Sequence, residues 1–236
     1  MTDGTCHLCG ETYTKRGMTR HLRSCLAGHN AESGDGSALH LRIVGARRPD
    51  YWIHVAIDHR THLETLDGFL RELWLECCNH LSAFTFDDIW YEKQVSEGPP
   101  SGPGPDSRSM AVPIGDVVEV GDEFGHEYDF GSTTELALRV AEVGGWDLDA
   151  IAERGIDAVE TGHDGIALLA RNEPPKIACG SCGAPATTVC QTCLRTRGPD
   201  AWFCEECATA HESDCDHPAY LPRVNSPRTG VCGYTG

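Results

Sequence analysis

The sequence contains no long apolar run. No stretch approaches the roughly 18 consecutive apolar residues that a membrane-spanning helix needs, so no membrane span is expected. The first ten residues, MTDGTCHLCG, lack a basic segment followed by an apolar one, so they do not predict a secretory leader. We therefore expect a cytoplasmic protein. In a reducing cytoplasm, paired cysteines indicate metal binding before disulfides.

Positive charge is also scarce. The 236 residues carry 36 acidic and 19 basic side chains, a net charge of −17, and only three of the bases are lysine. An acidic, lysine-poor composition is typical of a salt-loaded cytoplasm, where charges are screened and a dense negative surface keeps a protein dissolved. The composition predicts a halophilic archaeal or high-GC microbial origin, and an ordinary acidic protein is the alternative.

Sequence motifs for catalysis are missing as well. The chain has no nucleophile elbow, phosphate-binding loop, HExxH helix or paired-carboxylate motif. Its GDGS and GPGP glycines lie in stretches typical of linkers. We therefore expect no enzymatic activity and no small-molecule cofactor.

Charge and composition divide the chain into three ranges. Residues 1–29 carry four bases and two acids, residues 30–175 carry 10 and 28, and residues 176–236 carry five and six. AESGDGS and NEPPK are predicted linkers between these ranges, because a double proline ends a strand or helix. SEGPPSGPGPDSRS (96–109) is a predicted long loop. The predicted domains are 1–29, 37–172 and 176–236.

The first range contains one set of metal-ligand side chains. CHLCGETYTKRGMTRHLRSC places a CxxC pair eleven residues before an HxxxC pair. The HxxxC side chains share one face of a helix that we predict to begin between Thr14 and Gly17. Three thiolates and one imidazole suit a tetrahedral zinc ion, as in a Cys-Cys-His-Cys variant of the zinc finger, which this range resembles. The predicted ligands are Cys6, Cys9, His21 and Cys25.

The same helix carries all the bases of the first range. We place Lys15, Arg16, Arg20 and Arg23 on the face opposite the metal, where they can contact nucleic-acid phosphates. The alternative is a solvated basic helix beside a purely structural zinc, because one finger alone rarely binds nucleic acid tightly.

The third range is far richer in cysteine. Seven cysteines lie in the 37 residues from Cys179 to Cys215, six of them in CxxC pairs, and a final HxxxC lies in EECATAHESDC, a predicted short helix. Eight ligands suffice for two tetrahedral zinc ions. The predicted ligands are Cys179, Cys182, Cys190, Cys193, Cys204, Cys207, His211 and Cys215. His217 and, less strongly, Cys232 are alternatives to Cys215.

Two pairings of these ligands are open. In a cross-brace the first and third CxxC pairs share one zinc, and the second pair and the HxxxC share the other. In a sequential arrangement neighbouring pairs combine instead. The pattern resembles MYND-type and B-box-type modules, which favours the cross-brace, but the ten residues between Cys193 and Cys204 depart from the strict MYND spacing. With few apolar residues here, metal must replace a core, so chelation should unfold this range.

The middle range mixes strand and helix patterns, which predicts a single α+β domain between the two zinc-stabilised modules. The predicted strands are LHLRIVG, YWIHVAI, HLSAFTF, DVVEV, EYDFG, ELALRVAEV and GIALLARN. LETLDGFLRELWLECC (63–78) predicts a helix with leucines and Cys77 on one stripe.

Several polar or reactive side chains of this range have no evident partner in the sequence. We interpret Cys77 and Cys78 as buried helix residues rather than ligands. We interpret His40, His54 and His126 as surface residues of strands.

The middle range also resembles a known family. Trp52, the leucine-rich helix, HLSAF and YDFG (128–131) occur in an order similar to that of the plasmid pRiA4b ORF-3-like family, over about residues 37–172. Many members follow YDFG with Asp-x-Trp-x-His, where this chain has STTEL. The ending LPRVNSPRTGVCGYTG is similar to that of archaeal relatives with the same zinc tail. The resemblance implies a DNA-associated, mobile-element context.

The YDFG segment has two interpretations. In the structural one, Asp129 caps a tight turn that Gly131 permits. In the functional one, Tyr128, Asp129, His80 and Glu135 line a ligand groove.

From these features we expect a zinc-binding, non-enzymatic adaptor or regulatory protein that holds three zinc ions and binds a macromolecular partner. The alternative is a nucleic-acid-binding protein that uses the basic N-terminal helix. The net charge of −17 counts against nucleic acid, but the positive first range counts for it. Protein and nucleic-acid partners therefore both stay open.

Overall fold

The computed structural model describes residues 2–30, 37–93, 107–154 and 165–236, whose strands form two sheets. The strands are β1 (Asp3–Cys6), β2 (Thr12–Thr14), β3 (Ala38–Gly45), β4 (Trp52–Asp58), β5 (Ser82–Phe86), β6 (Ile89–Glu92), β7 (Ser107–Ser109), β8 (Glu123–Tyr128), β9 (Thr134–Gly144), β10 (Ile166–Asn172), β11 (Thr188–Cys190), β12 (Trp202–Phe203) and β13 (Tyr220–Pro222). The α-helices are α1 (Lys15–Leu26), α2 (Leu63–Leu70), α3 (Leu148–Arg154), α4 (Gln191–Arg197) and α5 (Glu205–His211). One large sheet with few helices confirms the coarse α+β prediction.

The large sheet has ten strands in the order β2-β1-β10-β4-β3-β9-β8-β5-β6-β7. Its neighbours are antiparallel except for β6 and β7. Gly4 of β1 lies opposite Asn172 of β10, so the N-terminal hairpin extends the sheet of the middle range. β10 ends at Asn172, as the following double proline predicts.

Both faces of this sheet are covered. In β4, Trp52 and Ala56 point to one face while Ile53 and Val55 point to the other, because side chains alternate along a strand. Ile53 and Val55 join a core with α2, whereas Trp52 and Ala56 join a second core with α1 and α3. Two apolar layers therefore bury the centre of the sheet.

No helix in the described ranges is long and apolar enough to cross a membrane.

Three predicted elements need correction. The strand predicted as EYDFG (127–131) is only the end of β8, which stops at Tyr128, and a turn follows it. The helix predicted over 63–78 is α2 followed by a π-helical segment, Arg71–Leu75, so it ends before Cys77. DVVEV is not a strand: Ile114–Asp116 form a 3-10 turn, and Val120 is 58% exposed. The chain turns there because the Asp122 carboxylate accepts a bond from the Glu119 amide at 2.8 Å and Gly121 has a φ of +100°.

The three strand histidines are buried, so their prediction as surface residues is wrong. α1 covers the face that holds His40 and His54, whose Nε2 and Nδ1 atoms lie 2.8 Å apart. Burial lowers the pKa of His40 to about 4 and that of His54 well below its ordinary value, so both are neutral at pH 7. On the other face, His126 Nε2 lies 2.8 Å from a carboxylate oxygen of Asp67 in α2. The prediction failed because it assumed a sheet with one solvated face.

The third range forms its own small sheet, in the order β12-β11-β13, with α4 and α5 beside it. The last twelve residues, 225–236, then leave this module and return to the large sheet; we call them the C-terminal tail. Ser226 Oγ donates to the carbonyl of Trp74 at 2.6 Å, and Arg48 donates to the carbonyl of Thr229 at 2.7 Å. The AESGDGS linker, except for its last residue, and most of the 96–109 loop lie outside the described residues.

Candidate metal centres and a cationic cleft

The N-terminal ligand set comes together between a hairpin and a helix. Cys6 ends β1, Cys9 lies in the turn that follows, and His21 and Cys25 lie one turn apart on α1. α1 begins after Thr14, whose Oγ1 accepts a hydrogen bond from the Gly17 amide at 3.1 Å. The four ligand atoms lie within 4.8 Å of one another, and Cys9 Sγ is 3.3 Å from His21 Nε2. These side chains can hold one metal ion.

The eight C-terminal side chains fall into two sets. Each set has its ligand atoms within 4.8 Å of one another. The first set is Cys179, Cys182, Cys204 and Cys207, and the second is Cys190, Cys193, His211 and Cys215. This grouping is that of the cross-brace rather than the sequential arrangement. His217 belongs to neither set and uses its carbonyl to accept a bond from Thr192.

Ligand spacings in these sets match a zinc tetrahedron. Zn–S bonds of about 2.3 Å give S–S edges of about 3.8 Å, and a sulfur–nitrogen edge of about 3.6 Å. Cys182 and Cys204 Sγ lie 3.7 Å apart, as do Cys193 and Cys215 Sγ. Cys193 Sγ lies 3.4 Å from His211 Nε2. The sulfur and imidazole donors also suit zinc better than a hard cation.

Backbone amides prepare some of these thiols for a metal. Burial alone would raise the pKa of Cys179, but amide hydrogen bonds from Cys204 and Cys182 outweigh it and lower the pKa to about 6. The pKa of Cys190 is lowered to about 7 in the same way. At Cys25, burial and the neighbouring Cys6 and Cys9 raise the pKa to about 12. A divalent cation would reverse that effect, because it favours the thiolate.

A fourth cluster lies where the C-terminal tail meets the large sheet. Cys77, Cys78, His80 and Cys232 have their ligand atoms within 4.8 Å of one another. The prediction that Cys77 and Cys78 are buried helix residues without a ligand partner is therefore wrong: the helix ends at Leu75, and Cys78 is exposed. The sequence contained a signal for this fourth cluster. Three cysteines stay unassigned after the first three sets, and the segment CCNH places two of them close to a histidine.

The YDFG segment lies next to this cluster, and Asp129 caps its turn as the structural interpretation predicts, but the left-handed residue is Asp129 rather than Gly131. Asp129 has a φ of +64°, and its Oδ1 accepts hydrogen bonds from the amides of Gly131 and Ser132 at 3.1 and 3.2 Å. Its Oδ2 lies 2.6 Å from Arg228 of the tail and 3.7 Å from His80. Arg228 therefore occupies the space beside this carboxylate.

The ligand-groove interpretation brings together only part of its residues. Tyr128 is fully buried, and its ring is 5.8 Å from that of His80. Glu135 neighbours Thr134, the residue opposite Tyr128, so it points to the other face of the sheet. There it pairs with Arg47.

A cationic cleft separates α1 from the sheet. Two adjoining cavities of about 230 and 340 Å³ share Arg42 of β3 and Arg139 of β9. Lys15 lines the first cavity and Arg23 lines the second. Arg139 is paired with Glu123 at 2.8 Å. Four cations thus border one cleft, in a protein whose net charge is −17.

The basic residues predicted on α1 differ in exposure. Arg16, Arg20 and Arg23 are exposed, and within the described part of the chain they form no ion pair. Lys15 is half-buried and donates to the carbonyl of Pro49 at 2.8 Å. The exposed face and the cleft are therefore two edges of one positive region.

Comparisons with known proteins find only distant likenesses, among solved structures. No protein-family model matches the chain, and no curated protein matches it. A crystal structure of a protein of unknown function from Methanosarcina mazei Go1 is 12% identical, with a TM-score of 0.41 over 48% of this chain. The match spans 63% of that protein's length. A likeness of this size identifies neither a family nor a function.

Proposed function

We propose that this chain is a zinc-binding, non-enzymatic adaptor or regulatory protein that binds a macromolecular partner. The observation that supports this best is that each Cys/His cluster offers four ligand atoms. Four protein ligands complete a tetrahedral zinc site, whereas catalytic zinc keeps one position for water or substrate. Zinc in these sites therefore stabilises the folded modules, and the surfaces of those modules bind the partner. Membership of the pRiA4b ORF-3-like family stays a prediction that fits this function.

The positive region around α1 favours nucleic acid as the partner. Arg16 and Arg20 are exposed on α1, and Arg42 and Arg139 continue the positive surface across the cleft. A cationic surface releases counterions from a phosphate backbone, so it can bind nucleic acid even on an acidic protein. A protein partner is the second candidate, because MYND-like and B-box-like modules without an open metal position act through their surfaces.

Ultraviolet crosslinking of the metal-loaded full chain in its native host tests this proposal. Three chains are compared: wild type, the variant Arg16→Ala/Arg20→Ala/Arg23→Ala, and a control with Arg195→Ala/Arg197→Ala. The control also removes exposed arginines, but from α4, in the small C-terminal module. Circular dichroism and metal content must be equal in all three chains.

The outcomes separate the candidates. We expect nucleic-acid crosslinks in the wild type and the control but few in the α1 variant. With purified components, that variant should also show a flatter dependence of affinity on salt, by about one unit of log-log slope per lost phosphate contact. Protein crosslinks without nucleic acid would reassign α1 as a solvated face and favour the adaptor. Absence of both would contradict a binding function.

A further inference from the structure

The 13 cysteines of the chain all belong to Cys/His clusters. The three predicted sets use ten of them, and Cys77, Cys78 and Cys232 complete the fourth cluster together with His80. This cluster has the same donors, three thiols and one imidazole, as the N-terminal set and one of the C-terminal sets. It differs from them because its ligands lie more than 150 residues apart in sequence, so only the folded tail completes it.

Distances in this cluster are those of a metal site rather than of thiols that meet by chance. His80 Nε2 is 3.3 Å from Cys232 Sγ, close to the 3.3 and 3.4 Å found in the two predicted sets that contain histidine. All four ligand atoms fall within 4.8 Å. Since each thiol repels the next once it is ionised, a cation at the centre is the simplest way to stabilise this arrangement.

The supports of the cluster are held by hydrogen bonds of their own. Arg228 is fully buried in the tail and donates to Asp129 at 2.6 Å and to the carbonyl of Ser132 at 3.2 Å. Its Nη2 also lies 3.3 Å from Cys77 Sγ, so the buried guanidinium helps to hold that ligand in place. The tail and the loop after α2 therefore present preformed halves of one site.

Backbone conformation points the same way. Cys232 has a φ of +48° and Asn79, between the ligands, has a φ of +56°. A left-handed conformation is unfavourable for a residue such as cysteine, and such outliers concentrate at functional sites. Here it places Cys232 Sγ beside His80.

We infer that Cys77, Cys78, His80 and Cys232 bind a fourth metal ion, a divalent ion of the zinc class. This ion fastens the C-terminal tail to the large sheet. The competing arrangement of the same residues is a disulfide among the three thiols, which would leave His80 without a role.

Metal content gives the first test. We expect the full chain, purified under reducing conditions, to hold four zinc ions by mass spectrometry of the metal, and the variants Cys232→Ser and His80→Ala to hold three. Thr235→Ala is the matched control, because it changes an exposed residue of the same tail without removing a ligand, and it should hold four. Three ions in the wild type and no loss in either variant would overturn the inference.

Thiol footprinting of the wild-type chain is the second test, and it does not depend on a variant that folds. In the metal-loaded protein, iodoacetamide should label Cys77, Cys78 and Cys232 slowly. After stepwise chelation, the same three thiols should become reactive together, and the tail should become sensitive to protease. Rapid labelling of the loaded protein, or a mass two units lower that marks a disulfide among these thiols, would contradict a metal site.

Discussion

The N-terminal and C-terminal Cys/His modules each contain a set of three cysteines and one histidine, but they rest on different amounts of apolar packing. In the first, the apolar face of α1 (Met18, Leu22 and Leu26) is fully buried in a core that also contains Trp52 and Trp146. In the second, the buried residues are mostly cysteine and alanine, and Val189, Trp202 and Phe203 are the large ones. The N-terminal module borrows the core of the large sheet, whereas the C-terminal module has little core of its own.

This difference predicts that modules with a similar ligand set depend on metal to different degrees. Ordering a residue costs about 1–2 kcal/mol of backbone entropy, which buried apolar area must offset. A small module cannot bury enough area for this, and a metal bound at its Cys/His clusters would supply the difference. The N-terminal hairpin receives part of that stabilisation from its pairing with β10.

Chelation should have the largest effect. Structural zinc contributes on the order of 10–16 kcal/mol per site at pH 7, so complete removal should unfold the C-terminal module while the large sheet persists. Limited proteolysis should cut within 179–222 first and within residues 2–30 later and less completely. The ligand variants Cys190→Ser and Cys6→Ser provide matched controls, each of which should expose mainly its own module. Equal cleavage of both modules would contradict a difference in their dependence on metal.

Removal of the Asp129 carboxylate should have the second-largest effect on stability. Asp129→Ala leaves Arg228 as a buried cation without its carboxylate, which should cost about 3–5 kcal/mol of unfolding free energy. Urea denaturation measures this loss. The double variant Asp129→Ala/Arg228→Met removes both charges and should recover most of it. A double variant as unstable as the single one would mean that the ion pair is not the reason.

Gly4 provides a smaller test of how the N-terminal module is joined to the sheet. A Cβ at this position would lie 2.4 Å from Trp52 Cη2 and 2.5 Å from the carbonyl oxygen of Arg171. Gly4→Ala should therefore destabilise by about 1–3 kcal/mol, the usual cost of overpacking. Gly28→Ala is the control, since a Cβ there has no heavy atom within 4 Å. Thermal melts of the two variants should differ, and identical melts would show that β1 can move away.

Acidification should destabilise the C-terminal module and the large sheet at different pH values. We expect this difference in the free energy of unfolding to be the smallest of these effects. Burial alone would raise the pKa of Asp67, but its interactions with His126, Ser82 and Arg71 together outweigh this and lower the pKa. Its contribution is therefore present above about pH 4, the ordinary value, and is lost only as the pH falls through the lowered pKa. Zinc thiolates take up protons in milder acid because protons compete with the metal.

We therefore expect zinc release and loss of the C-terminal module at a higher pH than loss of the sheet. A zinc-sensitive dye and far-ultraviolet circular dichroism measure the two transitions. Asp67→Asn should shift only the lower one. Coincident transitions would contradict separate stabilisation of the two regions.

Much of the architecture was readable from local patterns. The alternation in β3 and β4, the leucine stripe of α2 and the double proline after Asn172 each predicted an element that the structure contains. These predictions succeeded because each depends on residues close together in the chain. DVVEV failed because its short apolar run has strand composition, but side-chain and glycine turn chemistry decides its conformation.

Contacts between distant segments were not readable in the same way. Burial of His40 and His54 depends on α1, which covers their strands from another part of the chain. The position of Cys232 depends on the return of the tail to the large sheet. No spacing rule connects Cys78 to a residue more than 150 positions away.

The sequence by itself determined the N-terminal ligand set and the list of eight C-terminal donors, because a CxxC turn or an HxxxC helix brings each pair of donors together within one or two turns of chain. It also determined the strands and helices with regular apolar periods. Only the tertiary structure decided which CxxC pairs combine, how the N-terminal hairpin extends the sheet, and where the last three cysteines meet. The physical reason is that these outcomes depend on which surfaces bury one another, and burial is a property of the whole folded chain rather than of any local spacing.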